Sequence, residues 1–172
     1  MKIFTSCQIR DLDAYTIKHE PIQSVDLMER AAVSLMRYLA SNYSSEQQFH
    51  IFAGPGNNGG DAIAVARLLA SIGYNVSLYI LPSQNYSSDN EHNLRLLREQ
   101  KIVSPLFLNS SSDFPTIPKY SIVIDGLFGS GLTRPLEGLS ADLVNHINFQ
   151  SANVVSIDIP SGLFGEENPI PN

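Results

Sequence analysis

The chain has 172 residues, enough for one domain with a real core, and 43% apolar against 16% charged residues makes it globular rather than disordered. A net charge of −6, a pI near 5.1 and the lack of any Lys/Arg cluster argue against a nucleic-acid surface. The single cysteine, Cys7, excludes an internal disulfide or a cysteine zinc site, fits a reducing compartment and, in a helical pattern, reads as a packing residue. Met1-Lys2-Ile3-Phe4 leads into polar sequence and no apolar run approaches spanning length, so the expectation is a soluble, cytoplasmic protein with no membrane partner.

In chain order, two helical patterns come first, over 9–17 and 25–39. The second carries Met28, Ala32, Leu35, Met36 and Leu39 on one stripe, with Ser24 as a plausible N-cap and Asp26 in the first turn. A short apolar run at 50–53 reads as a buried strand. It is joined to a helical run at 62–72 by Gly54-Pro55-Gly56-Asn57-Asn58-Gly59-Gly60-Asp61. Glycines there remove the Cβ atoms that would hold a ligand off the backbone. Gly and Asn also tolerate φ > 0, so amides can converge on one concavity ahead of a helix N-terminus, a setting that suits a diphosphate. The plainer alternative is a tight turn, with Asp61 a cap or dipole partner.

The joint is no P-loop, because Asp61 follows Gly60 where a lysine is needed. Gly54, Gly56 and Gly59 fit G-x-G-x-x-G, yet the second strand ends in Pro82-Ser83 without the usual acid, so ordinary NAD binding is weakly supported. Further strands are expected at 75–81, 106–108, 121–125 and 153–158, with helices at 90–99 and 136–147 and a polar loop at 109–118. The alternation implies right-handed crossovers and a parallel sheet. No linker divides the chain.

The runs ending in Asp125 and Asp158 are both β-branched, closed by an aspartate and followed by a glycine loop. In a parallel sheet they share one rim with the Asn57–Asp61 turn. Carboxylates crowded at a diphosphate cradle require either a cation among them or a protonated member. Asn58, Asp125, the Ser161 hydroxyl and loop carbonyls are hard oxygen donors that suit an alkali or alkaline-earth ion; the alternative is that each aspartate caps its own turn. His19, His50, His92 and His146 are scattered, without metal-ligand spacing, and read as surface or packing residues. Ser161 lies in no nucleophile elbow.

Taken together, Thr5-Ser6-Cys7-Gln8-Ile9-Arg10 with Asp13, Leu27-Met28-Glu29-Arg30-Ala31, Gly54 through Asp61, Asp125 with Gly129-Ser130-Gly131-Leu132, and Ser156-Ile157-Asp158-Ile159-Pro160-Ser161-Gly162 resemble the YjeF N-terminal domain family of NAD(P)H-hydrate epimerases. The resemblance implies a three-layer α/β, Rossmann-like parallel sheet flanked by helices, with two N-terminal helices. It implies interconversion of the R and S forms of hydrated NADH and NADPH (NADHX and NADPHX), with a dehydratase taking the S form. Asn57, Asn58, Gly59, Gly60, Asp61, Gly129, Ser130, Gly131, Leu132, Thr133, Arg134 and Pro135 would hold the substrate. Asn58, Asp125 and Ser161 would bind a potassium ion, and Asp158 would meet the reacting end. A carboxyl with its pKa raised toward neutrality could protonate the leaving hydroxyl and then guide water back, and Asp158 is the expected catalytic residue.

Homodimerisation is likewise expected from the resemblance. Phe164 and Ala62 replace residues common in relatives. Because relatives continue past this point, the expectation is a single domain over 1–172 truncated at its C-terminus, a piece of a longer and in some cases bifunctional epimerase/dehydratase. Two other readings compete: a non-catalytic nucleotide- or protein-binding module of the same fold, and an ordinary NAD(P)-dependent oxidoreductase.

Overall fold

The computed structural model describes residues 4–150 and 153–166. Helices α1 (Ser6–His19) and α2 (Ser24–Asn42) precede strand β1 (Gln48–Ala53) and helix α3 (Asn57–Ser71). Then follow β2 (Asn75–Ile80), α4 (Ser88–Gln100), β3 (Leu106–Phe107), a 3-10 turn at Ser111–Asp113, β4 (Ile122–Gly126), α5 (Leu139–Phe149) and β5 (Asn153–Ser156). The five strands run parallel in the order β3-β2-β1-β4-β5. This is the three-layer α/β arrangement expected.

Both faces of the central strands are covered, so β1 from Phe49 to Ala53 and all of β4 are buried, as near-continuous apolar runs in a parallel sheet should be. Ile51, Ile80, Ile122 and Ile124 point to the layer of α3 and α4. Phe52, Tyr79 and Val123 point to the opposite layer with Leu143 and Ile147 of α5. The α2 stripe packs chiefly along α3, burying Met28, Ala32 and Leu39. Arg67 of α3, with a side chain 8% exposed, pairs with Glu29 of α2 and couples the two helices.

Several local expectations change. The glycine-rich joint is shorter than its sequence suggests, because α3 starts at Asn57 and absorbs Asn57-Asn58-Gly59-Gly60 as its first turn. None of Gly54, Gly56, Gly59 or Gly60 has positive φ; among the described glycines only Gly73, Gly138 and Gly162 do. Close approach is what demands glycine here. A Cβ on Gly54 would lie 1.8 Å from the Leu127 carbonyl oxygen, and one on Gly59 would lie 1.8 Å from that of Gly54. Gly126 is constrained likewise, since its Cβ would sit 2.4 Å from that of Ala62, so small residues at 62 and 126 let α3 press onto the end of β4.

Ser24 does not cap α2. Gln23 holds that position without a side-chain bond, and the Ser24 hydroxyl donates instead to Asp89 Oδ2 at 2.5 Å. Strand β5 ends at Ser156, which is in register with Asp125, so Asp158 lies beyond the strand and the two aspartates are not matched strand ends. Helix α1 starts earlier than its apolar spacing suggests, through a capping box between Thr5 and Gln8, and leaves Cys7 exposed rather than packed. Finally, α5 begins at Leu139 rather than 136, after Gly138 turns the chain at φ 56°.

Candidate active site

The chain reverses its direction of strand addition between β1 and β4, and the loops after those two strands diverge there. That is the switch point at which open parallel sheets bind ligands. A groove of about 1140 Å³ opens at this rim. Its walls are the α3 N-terminus, the 127–134 loop, the 157–159 segment and α1. All of Asn57, Asn58, Asp61, Gly129, Ser130, Gly131, Leu132, Thr133, Arg134 and Asp158 line it. Gly59 and Gly60 are buried behind the wall, where they allow close packing, and Pro135 lies outside the lining.

At the α3 N-terminus the N-cap is Gly56, so no side chain satisfies the first amides of the helix. The first intrahelical bond in that turn runs from Gly60 N–H to Gly56 O at 3.1 Å. Gly56, Asn57 and Asn58, ahead of it, line the groove with the helix dipole behind them, a setting suited to an anion.

Asp61 is one turn further along α3. Burial, reinforced by repulsion from Asp158, Asp89 and Asp13, pushes its carboxyl up to about 7. Among the described residues no donor compensates it. The Asp158 carboxylate is fixed differently: its Oδ2 accepts from the Ser130 amide at 2.7 Å. Gly129 makes that possible, because a Cβ there would come within 2.6 Å of the same oxygen.

Asp125 is 6% exposed and faces Ser161 rather than the open groove. Its Oδ1 accepts from the Ser161 hydroxyl at 2.5 Å and the Leu127 amide at 3.2 Å. Its Oδ2 accepts from the Ser161 amide at 2.8 Å and the Ser156 hydroxyl at 3.3 Å. Asp125 therefore does knit the two loops, as the turn-capping alternative holds. The same cluster also fits a weakly held cation. Ser161 Oγ also accepts from the Phe128 amide at 2.9 Å and lies 3.1 Å from the Phe128 carbonyl oxygen, which sets two neutral oxygens side by side next to Asp125. Nearby, the side-chain amide of Asn58 is buried with its Nδ2 unpartnered, and turning it over presents an oxygen instead. One carboxylate with neutral oxygens suits an alkali ion.

Sequence reasoning placed no site residue on α1, yet Arg10 and Asp13 line the groove. The start of α1 is held to the far wall by the Ser6 amide, which donates to Glu166 Oε1 at 2.7 Å. The only sequence signal for this segment was its resemblance to relatives. Apolar periodicity says nothing of it, since α1 buries no residue. Of the histidines, His50 is packed against Tyr79 beneath the sheet, and none lines the groove.

Fold and rim together define an open parallel α/β domain with a polar ligand crevice at its topological switch point. A family model described as YjeF-related protein N-terminus matches residues 24–171. An NAD(P)H-hydrate epimerase of Limosilactobacillus reuteri (strain ATCC 55730 / SD2112) is 36% identical over 163 residues, covering 94% of this chain and 74% of its own length. That of Lentilactobacillus buchneri (strain NRRL B-30929) is 37% identical over 158 residues, covering 91% and 71%. The bifunctional NAD(P)H-hydrate repair enzyme Nnr of Thermofilum pendens is 31% identical, and the match takes up 32% of its length. The crystal structure of yeast ynu0 shares the fold, with a TM-score of 0.74 at 23% identity over 99% of this chain and 75% of its own. The chain belongs to the YjeF-related N-terminal family. Among the described residues, no helix is long and apolar enough to cross a membrane.

Proposed function

We propose that this chain is an NAD(P)H-hydrate epimerase, interconverting the R and S forms of hydrated NADH and NADPH so that a dehydratase can consume the S form. One observation carries the reading: the open amides of α3 and the carboxyls of Asp61 and Asp158 converge on one groove, of a size suited to a dinucleotide. The names of the relatives supply the reaction class. A diphosphate on the α3 amides leaves the hydrated nicotinamide to reach the carboxyls.

The chemistry needs a proton and little else. The carbon that inverts bears a hydroxyl and is bonded to the ring nitrogen. Protonation of that hydroxyl lets it leave as water while the nitrogen lone pair takes up the positive charge. Water then adds to the opposite face and returns the proton to a carboxylate. In this reading Asp158, oriented by the Ser130 amide, meets the reacting end, and Asp61 beside it holds a proton at neutral pH because ionisation there is desolvated and repelled. Asn58, Asp125 and Ser161, with the Phe128 carbonyl, would hold a potassium ion, which supplies positive charge beside the diphosphate. Ile9, Leu12 and Tyr15 of α1 are 43%, 46% and 61% exposed, an apolar strip that supports pairing of two copies; sedimentation of the protein tests it.

The deciding assay is epimerisation of R-NADPHX coupled to an S-specific dehydratase, with spontaneous epimerisation as baseline and with potassium present or replaced by choline. Asp158→Asn is expected to lose acceleration at least about a hundredfold while still binding NADP⁺; a fully active variant removes Asp158 from the mechanism. Because Asp61 must carry its proton, the rate should fall as pH rises through about 7, and Asp61→Asn, which has no proton to give, should lose acceleration at every pH.

A further inference from the structure

The turn that presents the α3 amides is held in part from α4. Three successive carbonyls, those of Gly54, Pro55 and Gly56, point away from the groove toward the start of α4. There Asn90 Nδ2 donates to Gly54 O and to Gly56 O, each at 2.9 Å, and the Ser87 amide donates to Pro55 O at 3.0 Å. Asn90 is completely buried. Its backbone sits against the first turn of α3, since a Cβ on Gly60 would come within 3.2 Å of the Asn90 Cα. A trans peptide carries its N–H opposite its C=O, so holding the Pro55 and Gly56 carbonyls toward α4 turns the Gly56 and Asn57 amides the other way, while the Gly54 carbonyl precedes a proline and orients no N–H.

We infer that Asn90 is a positioning residue, the clamp that holds the Gly54–Gly56 turn so that the Gly56 and Asn57 amides face the phosphates of the substrate. The inference rests on the proposed function for the identity of the ligand but not for the geometry of the clamp. A residue chosen for packing alone would be apolar at this point of the α4 stripe, as Leu94 and Leu97 are further along it. Asn90 instead buries an Oδ1 with no partner among the described residues, a cost that its two donated bonds must offset. The same two bonds, together with those from the Ser87 amide to Pro55 O and the Gly60 amide to Gly56 O, restrain the carbonyls from rotating outward, so the amides are oriented before any ligand arrives.

The test compares Asn90→Ala and the isosteric, donor-less Asn90→Asp with Leu97→Ala, which opens a cavity in the same helix away from the turn. Two readouts are taken on the whole chain. Amide hydrogen exchange over residues 54–60 needs no substrate; both Asn90 variants should speed it by about tenfold or more, and Leu97→Ala should not, at matched loss of thermal midpoint. NADP⁺ affinity by titration should weaken by about tenfold or more in the Asn90 variants, with KM rising and kcat within about twofold, while Leu97→Ala binds as wild type. Unchanged exchange in a folded Asn90→Ala overturns the clamp, whether or not Asn90→Asp folds. So does equal weakening by Leu97→Ala. A wild-type protein that shows the exchange pattern but neither binds NADP⁺ nor epimerises would sink the proposed function and leave the clamp standing.

Discussion

Asp61 stands at the meeting of stability and function. Its carboxyl ordinarily loses its proton near 3.8, and in the folded chain near 7, so folding takes up a proton between those values. Ionisation of Asp61 therefore opposes folding increasingly as pH climbs from 3.8 to 7, and fully above 7. Asp61→Asn should raise the thermal midpoint at pH 8, on the order of 5 °C, and leave it nearly unchanged at pH 4; calorimetry at the two values checks both. An equal gain at both pH values would mean that the carboxyl is not held protonated by the fold.

The glycines of the turn divide just as sharply. Gly59→Ala drives a Cβ into backbone and should cost more than about 3 kcal/mol in urea unfolding. Gly56→Ala meets nothing within 4 Å and should cost under about 1 kcal/mol, yet weaken NADP⁺ binding because its methyl lines the groove. The sequence pattern showed that glycine mattered here. It could not say that close approach, rather than positive φ, was the reason, because the atoms approached belong to Leu127 and to the turn itself.

Among the elements, α3 was the hardest to delimit. Its first residues, Asn57-Asn58-Gly59-Gly60, have poor helix propensity, so the apolar stripe starts later than the helix does. Tertiary support from Asn90, Met28 and the end of β4 carries that turn. The pairing of α2 with α3 was likewise visible only as two stripes, and the Arg67–Glu29 pair that couples them was not. Arg67 is almost buried and among the described residues its Nε lacks a partner, so Glu29→Ala, which strands the guanidinium, should cost about 3 kcal/mol or more. Arg67→Met in the Glu29→Ala background should recover much of that. A double-mutant cycle measures the coupling, and simple additivity would mean that the pair does not join the helices.

For the whole molecule, the sheet order decides where function lies. Loops distant in sequence meet because β1 and β4 are neighbours, α1 lines the groove, and the Ser6 amide ties the start of α1 to Glu166. If the groove is the ligand site, NADP⁺ at about a hundred times its dissociation constant should stabilise the fold by roughly 2.7 kcal/mol, a midpoint rise of about 5–10 °C. Thermal shift with ADP-ribose alone separates the diphosphate share from that of the nicotinamide.

The alternation of strands and helices, the parallel sheet and the shared rim were legible in the sequence, because periodicity and chain direction are local properties that add up along the chain. The aspartates, asparagines and glycines of the rim were legible because they fall at or just beyond strand ends, although Asp158 lies past β5 and Asn57 through Gly60 open α3. The depth of Asp61, the tethering of Asp158 to Ser130, the arrival of Arg10 and Asp13, and the Asn90 clamp belong to the tertiary structure alone. Each depends on which residues from remote segments come within a few ångströms, and desolvation, repulsion and hydrogen bonding are set by that proximity rather than by order in the chain.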